Sequence, residues 1–197
     1  MKRTKLCLII LSIFFHLFTS TIVLGDVLKI GNKNAKITVK VFSSLTCPHC
    51  ASFHKKIYEN LKKNYIDKNL VKFEHHAFPL DLAALNAEKI VRCASSTEAK
   101  FKLLTKIYDK QTKWAVGSDI KKINELLIKL NNDSKLSENE LRNCLDDENT
   151  QELILKERID AQKEYNITST PTIYINDKKY EDKHEFKSFK KQLDKLL

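Results

Sequence analysis

The stretch from Lys36 to Tyr65 constrains this chain more than any other. "KITVKVF" alternates Ile37, Val39 and Val41 with Thr38 and Lys40, the period of a half-buried strand. It runs directly into "SSLTCPHC", where Cys47 and Cys50 flank Pro48 and His49. Proline suits the first turn of a helix, where its missing N–H is no loss. Phe53, Ile57, Leu61 and Tyr65 then recur at helical spacing. Cys47 is therefore expected at a helix N-terminus, immediately after a strand. A Cys-x-x-Cys pair alone is compatible with a redox centre, half of a metal site or a structural disulfide. The remainder of the chain has to arbitrate.

Compartment is the first arbiter. Lys2, Arg3 and Lys5 precede an apolar run from Leu6 to Phe18 and a small-residue stretch, "TSTIVLG", before Asp26. This is the layout of a secretory signal peptide over residues 1–25, cleaved after Gly25, with a retained anchor as the alternative. The run is shorter than the ~20 residues that comfortably span a bilayer. Export leads to a periplasmic or extracellular setting in which disulfides persist. Cys7 would leave with the signal, so four of the five cysteines remain.

The mature chain, about 172 residues, is the size of one domain with a sizeable core. Three glycines and three prolines in 197 residues argue against long linkers. The net charge of +10 falls to +7 once Lys2, Arg3 and Lys5 are removed. The lysines are spread along amphipathic stretches such as "KKINELLIKL" and "KSFKKQLDKLL" rather than gathered with aromatics. They read as a solvated basic surface, and no nucleic acid partner is expected.

A second strand is expected in "LVKFEHHAF", residues 70–78. The next eighty residues read as helices. Their stripes are Ala83, Ala87, Ile90 and Ala94; then Phe101, Leu104 and Tyr108; then Ile120, Ile123, Leu127 and Leu130. Ser137 with Glu140 forms a capping box, and a polar helix follows through Leu155 and Ile159 to about Tyr165. Strand character returns in "TPTIYIN", residues 170–176, with a turn at 176–179. A terminal helix is marked by Phe186, Phe189, Leu193 and Leu196. This is an α/β unit, 26–197, split by a helical insertion over about 81–165.

The placement of Cys47 favours redox chemistry. The thiolate is the nucleophile in disulfide exchange, and unpaired N–H groups at a helix start favour the anion. His49 can add a donor or a positive charge. Cys50, one turn on, is placed to close a disulfide with Cys47. Stabilising the thiolate stabilises the reduced pair and makes the disulfide a better oxidant.

Strand "KITVKVFSSLT", motif "CPHC", helical insertion, "TSTPTIYIN" and terminal helix together resemble the DsbA-like thiol-disulfide oxidoreductases of the thioredoxin fold. The resemblance spans essentially residues 27–197. It implies that Pro171 is a cis-proline facing the cysteine pair, with Thr170 before it. It implies catalytic roles for Cys47, Pro48, His49, Cys50, Thr170 and Pro171. The partners it implies are reduced, unfolded exported proteins and a redox partner, such as a membrane oxidase, that reoxidises the pair. No cofactor is implied, and a monomer is expected. Family members carry an acidic residue six positions before the first motif cysteine, where this chain has Val41. If that carboxylate moves the proton of the second cysteine, another group must do so here.

Cys93 follows Ile90 by three and Cys144 follows Leu141 by three, so both fit apolar helix faces. Two buried free thiols are one reading. An even cysteine count in an exported chain favours a disulfide, and a subgroup of the resembled family pairs cysteines in similar "CA" and "CL" contexts. That link would contribute roughly 4 kcal/mol by the chain-entropy model.

Zinc held by Cys47 and Cys50 with His54, His75 or His76 lacks a second ligand pair at metal spacing, so no metal is expected. His75 and His76 read as ordinary strand residues, one inward and one outward. Trp114, in "KWAVG", is expected in the core or bordering a peptide groove. An isomerase or reductase of the same fold is the alternative activity, and a non-catalytic surface protein a weaker one. Isomerases of related fold usually carry an extra N-terminal dimerisation domain. About ten residues between Gly25 and the first strong strand leave no room for it, so oxidase is the expectation.

Overall fold

The computed structural model describes residues 27–131 and 135–197. The export segment expected over residues 1–25, with its cleavage after Gly25, lies outside the described residues.

Five strands form one mixed sheet: β1 (Leu28–Ile30), β2 (Ile37–Ser43), β3 (Val71–Ala77), β4 (Thr172–Ile175) and β5 (Lys178–Lys179), in the order β1-β3-β2-β4-β5. β2 and β3 are parallel, and the other pairings are antiparallel. β2 sits at the centre because Ile37, Val39 and Val41 are buried on one face and Phe42 on the other. β1 was not anticipated: three residues are too few to display a period. The expected strand at 170–176 is shorter, since Thr170 and Pro171 belong to the loop that enters β4.

The helix that starts at Pro48 follows β2 directly. It runs as α1 (Pro48–Phe53), a π-wound stretch (His54–Tyr58), α2 (Glu59–Leu61) and a second π-wound stretch (Lys62–Ile66). Phe53, Ile57, Leu61 and Tyr65 face the core as their spacing predicts.

The insertion comprises α3 (Leu82–Cys93), α4 (Thr97–Asp109), the short α5 (Gln111–Trp114), α6 (Ile120–Leu130), α7 (Glu138–Asp146) and α8 (Glu148–Tyr165). Each long helix opens on a side chain that accepts otherwise unpaired N–H groups: Asp81, Ser96, Asp119, Ser137 and Asp147. At Ser137 the full capping box with Glu140 is present. α8 ends at Asn166 in the left-handed region, and α9 (Phe186–Asp194) closes the chain.

α3 is buried nearly all round, from Ala84 to Val91, because α4, α6, α7 and α8 all pack on it and His75 of β3 reaches Glu88. The stripe read from its alanines therefore understates its burial. Three polar residues go down with it, each partnered: Asn86 with Asn124, Glu88 with His75 and Lys89 with Gln151. On α8 the buried residues are Ile154, Glu157 and Ala161, whereas Ile159 is exposed. Glu157 faces inward because it accepts the N–H of Ala77 and pairs with Arg92.

Candidate active site

Cys47 is the N-cap residue of α1, in extended backbone, with Pro48 in the first turn. Its sulfur therefore occupies the place where a capping side chain meets the free N–H groups of the first turn. Cys50 is one turn further, 1% exposed against 6% for Cys47. Both are free thiols in this structure. Pro48 and His49 are exposed on the surface above them.

The loop before β4 comes up on the other side of the pair. The Thr170–Pro171 peptide bond is cis. The Cys47 thiol donates to the Thr170 carbonyl at 3.3 Å. The Thr170 hydroxyl is buried with no other partner, and it lowers the pKa of both sulfurs. Thr170 thus offers an acceptor to the thiol and a donor to the thiolate.

The two cysteines are pushed in opposite directions. Cys47 is lowered to about 5, chiefly by a hydrogen bond from Cys50, with Thr170 and the backbone N–H groups of Cys50 and His49 adding to it and burial opposing. Cys50 is raised, first by burial and then by its bond to Cys47. At neutral pH the arrangement holds an exposed-side thiolate over a buried thiol.

Residues with no motif around them complete the site. Gln111 of α5 is buried, and its Nε2 donates to the carbonyls of Leu45 (2.8 Å) and Cys47 (3.0 Å). It fixes the turn between β2 and α1. Asp81 caps α3 through one carboxylate oxygen and accepts from Thr46 Oγ1 (2.8 Å) through the other. It ties the insertion to the residue before Cys47. His184, between β5 and α9, packs its ring near Phe53 and Tyr180. Its pKa is lowered by desolvation and then by the charge of His49. A lone Gln, Asp or His carries no local signal, so only the fold could reveal them.

Several expected placements change. His76 is not an outward residue: its side chain is only 12% exposed, lies 3.2 Å from Glu74 and faces Glu157, because α8 covers that side of the sheet. Trp114 takes the core place expected for it: it is buried, with Nε1 donating to the Ile107 carbonyl. His54 and His75, weighed as partners of the cysteines, are engaged elsewhere, with Thr105 at 2.8 Å and Glu88 at 2.7 Å. Val41 is buried on β2 between Ile173 of β4 and His75 of β3.

Away from this site, Cys93 and Cys144 are joined by a disulfide, with Cα atoms 6.0 Å apart.

A protein-family model described as "Thioredoxin" matches residues 24–195. A Rickettsia bellii protein named as a protein-disulfide oxidoreductase is 29% identical over 168 residues, 85% of this chain and 63% of its own length. "Disulfide bond formation protein D" of Bacillus subtilis is 28% identical, over 85% of this chain and 76% of that protein. The chain spans between about half and 63% of the length of the curated rickettsial relatives it matches. Among solved structures, Wolbachia pipientis alpha-DsbA1 superposes with a TM-score of 0.79 at 25% identity, covering 87% of this chain and 90% of that one. Oxidised BdbD from Bacillus subtilis gives 0.72 at 26%, covering 86% and 92%.

Proposed function

The chain belongs to the thioredoxin family, and on that premise we propose that it is an exported protein-disulfide oxidoreductase that donates its Cys47–Cys50 disulfide to reduced proteins. The observation that carries this is the asymmetry of the pair: Cys47 lowered to about 5 beside Thr170 and cis-Pro171, Cys50 raised and buried behind it. A thiol that prefers to be an anion is a good leaving group, and a stabilised reduced form makes a disulfide oxidising. The names of the rickettsial and Bacillus relatives support the same reading.

In the oxidised protein a substrate thiolate attacks Cys47 Sγ, the sulfur nearer solvent. The Cys47–Cys50 bond breaks, its electron pair goes to Cys50 Sγ, and a mixed disulfide forms. A second substrate thiolate attacks the substrate sulfur of that bond, and Cys47 leaves as a thiolate held by Cys50, Thr170 and the α1 N-terminus. The substrate is oxidised by two electrons and the protein is reduced by two. Return to the disulfide needs a separate dithiol oxidant, for which a membrane oxidase is the candidate. Secretion of the chain belongs to the same proposal, supported by the signal-like segment before Asp26; a monomeric state is proposed with it.

The test supplies mature protein, oxidised or reduced, to a reduced substrate whose native disulfides are nonconsecutive. Stoichiometric oxidation with poor correction of wrong pairings supports the oxidase. Efficient reshuffling by the reduced protein assigns isomerase activity instead.

A further inference from the structure

The insertion carries a row of lysines that disulfide exchange, as written above, does not use. Lys102 and Lys106 of α4 and Lys110 at its C-cap recur every four residues, so they follow one face of the helix. All three line an open groove of about 530 Å³, whose apolar part is Ile30, Tyr58 and Phe101. A second hollow of about 240 Å³ shares Lys102 and Lys106. Ala94, Ala99, Leu103 and Leu136 line it, and Lys135 borders it. The row is a basic ridge shared by two apolar recesses.

The ridge is crowded with one sign of charge. Like charges four residues apart disfavour a helix. Burial, and then the charges of Lys102 and Lys110, lower the pKa of Lys106. A helix end favours cations, which accounts for Lys106 and Lys110 but not for Lys102 or Lys135. Glu98 and Asp109 border the first groove, yet Lys102, Lys110 and Lys135 form no ion pair among the described residues. Lys62, also at that groove, is held by Asp67.

The ridge also leads to the cysteines. Lys110 is followed by Gln111, whose Nε2 donates to the Cys47 carbonyl at 3.0 Å. From Lys102 to Lys110 a helix rises about 12 Å, which an extended chain covers in about four residues. A polypeptide whose cysteine reaches Cys47 can therefore lay its neighbouring residues along the ridge. A bilayer fits less well. The large exposed apolar side chains are Leu80, Leu82, Val116, Ile159 and Leu197, none of them on α4, where the apolar surface is recessed. Helices that lie on lipid present protruding apolar groups.

We propose that the ridge of Lys102, Lys106 and Lys110, with Lys135, docks an acidic segment of the reduced polypeptide whose cysteine exchanges with Cys47. This rests on the exchange reading above and names the substrate class it favours: chains with carboxylates and apolar residues within roughly ten residues of the reacting cysteine. The carboxylates meet the lysines, and the apolar side chains enter the two recesses. Exposed charges of this kind act chiefly on the rate of encounter and are screened by salt. The lysines touch no reacting atom and change no bond of the exchange.

The test uses the oxidised mature protein and two dithiol peptides, one flanked by segments of Glu and Leu, the other with Gln in place of Glu. The acidic peptide is expected to be oxidised about tenfold faster at low salt, and the advantage should shrink as salt rises. Lys102→Gln/Lys110→Gln/Lys135→Gln, all at exposed positions, should bring the ratio of the two rates to about one. Lys33→Gln/Lys68→Gln/Lys163→Gln removes the same charge from exposed positions elsewhere and should keep most of the ratio. Equal rates for the two peptides overturn the proposal, as does a ratio that survives the first triple variant or falls equally in both. Sedimentation with vesicles of anionic phospholipid that depends on the same three lysines, without any peptide preference, assigns the face to lipid and also overturns it. Calorimetry with the acidic peptide carrying Ser for Cys reads docking without exchange. A protein that binds this peptide through the ridge but oxidises neither dithiol keeps the docking surface and overturns the exchange reading.

Discussion

The molecule holds two cysteine pairs that differ in almost every respect that sets sulfur chemistry. Cys47 and Cys50 stand three residues apart at the start of a helix, facing free N–H groups and the Thr170 hydroxyl. Cys93 and Cys144 stand 51 residues apart near helix ends. Cys93 is the last residue of α3, Cys144 lies two residues from the end of α7, and Cys144 Sγ is 2.8 Å from the Glu140 carbonyl oxygen. A helix start stabilises a thiolate, whereas a helix end, with its outward carbonyls, disfavours one. Low thiol pKa speeds departure from a disulfide, so the first pair is built to exchange and the second to stay closed. The lesson is that three-residue spacing at a helix start, which lets Cys50 stabilise the Cys47 thiolate with help from Thr170 and backbone N–H groups, separates a working pair from a structural one.

That contrast can be broken in order of expected effect. Cys47→Ser should abolish oxidation of a reduced, unfolded substrate, while Cys50→Ser should accumulate a mixed disulfide visible on a non-reducing gel. Replacing both Cys93 and Cys144 by Ala should leave the exchange chemistry in place and lower unfolding free energy by up to about 4 kcal/mol, measured by urea titration at low temperature. An equal loss of activity at a temperature where the variant is folded would blur the distinction between the pairs. Gln111→Ala orphans two buried carbonyls beside Cys47 and should cost about 1–3 kcal/mol with a looser active-site turn.

The smallest effects are in the titration of Cys47. Alkylation of the reduced protein should show a midpoint near pH 5. Thr170→Val, which removes a donor, should raise it by about one unit. The folded pKa lies below the ordinary thiol value, so the thiolate stabilises the reduced fold most fully above about pH 9 and loses that contribution as pH falls through about 5. The oxidised form lacks this titration. The melting-temperature gap between reduced and oxidised protein should therefore narrow on acidification, and a gap independent of pH would contradict the assigned environment.

Much of the architecture was legible along the chain. The alternation of "KITVKVF", Pro48 after Cys47, and the Ser137–Glu140 box are local signals whose meaning does not depend on distant residues, and each appears in place. What misled was any inference about which side of an element meets solvent. His76 was expected outward, yet it is covered, because α8 closes that side of the sheet. Glu157 on a polar helix became a buried hub for Ala77 and Arg92, which its local pattern gave no reason to expect.

By itself the sequence determined where the redox pair sits, a strand before it and a helix after it, because capping and periodicity act over a few residues. It also marked Thr170, Pro171, Cys93 and Cys144 as residues to watch. The tertiary structure alone decided that Gln111 and Asp81 hold the turn around Cys47, and that Glu88 of α3 meets His75 of β3 in the interior. Those residues come from separate helices and a strand, and a buried charge acquires its meaning only from the groups that remain after water is excluded.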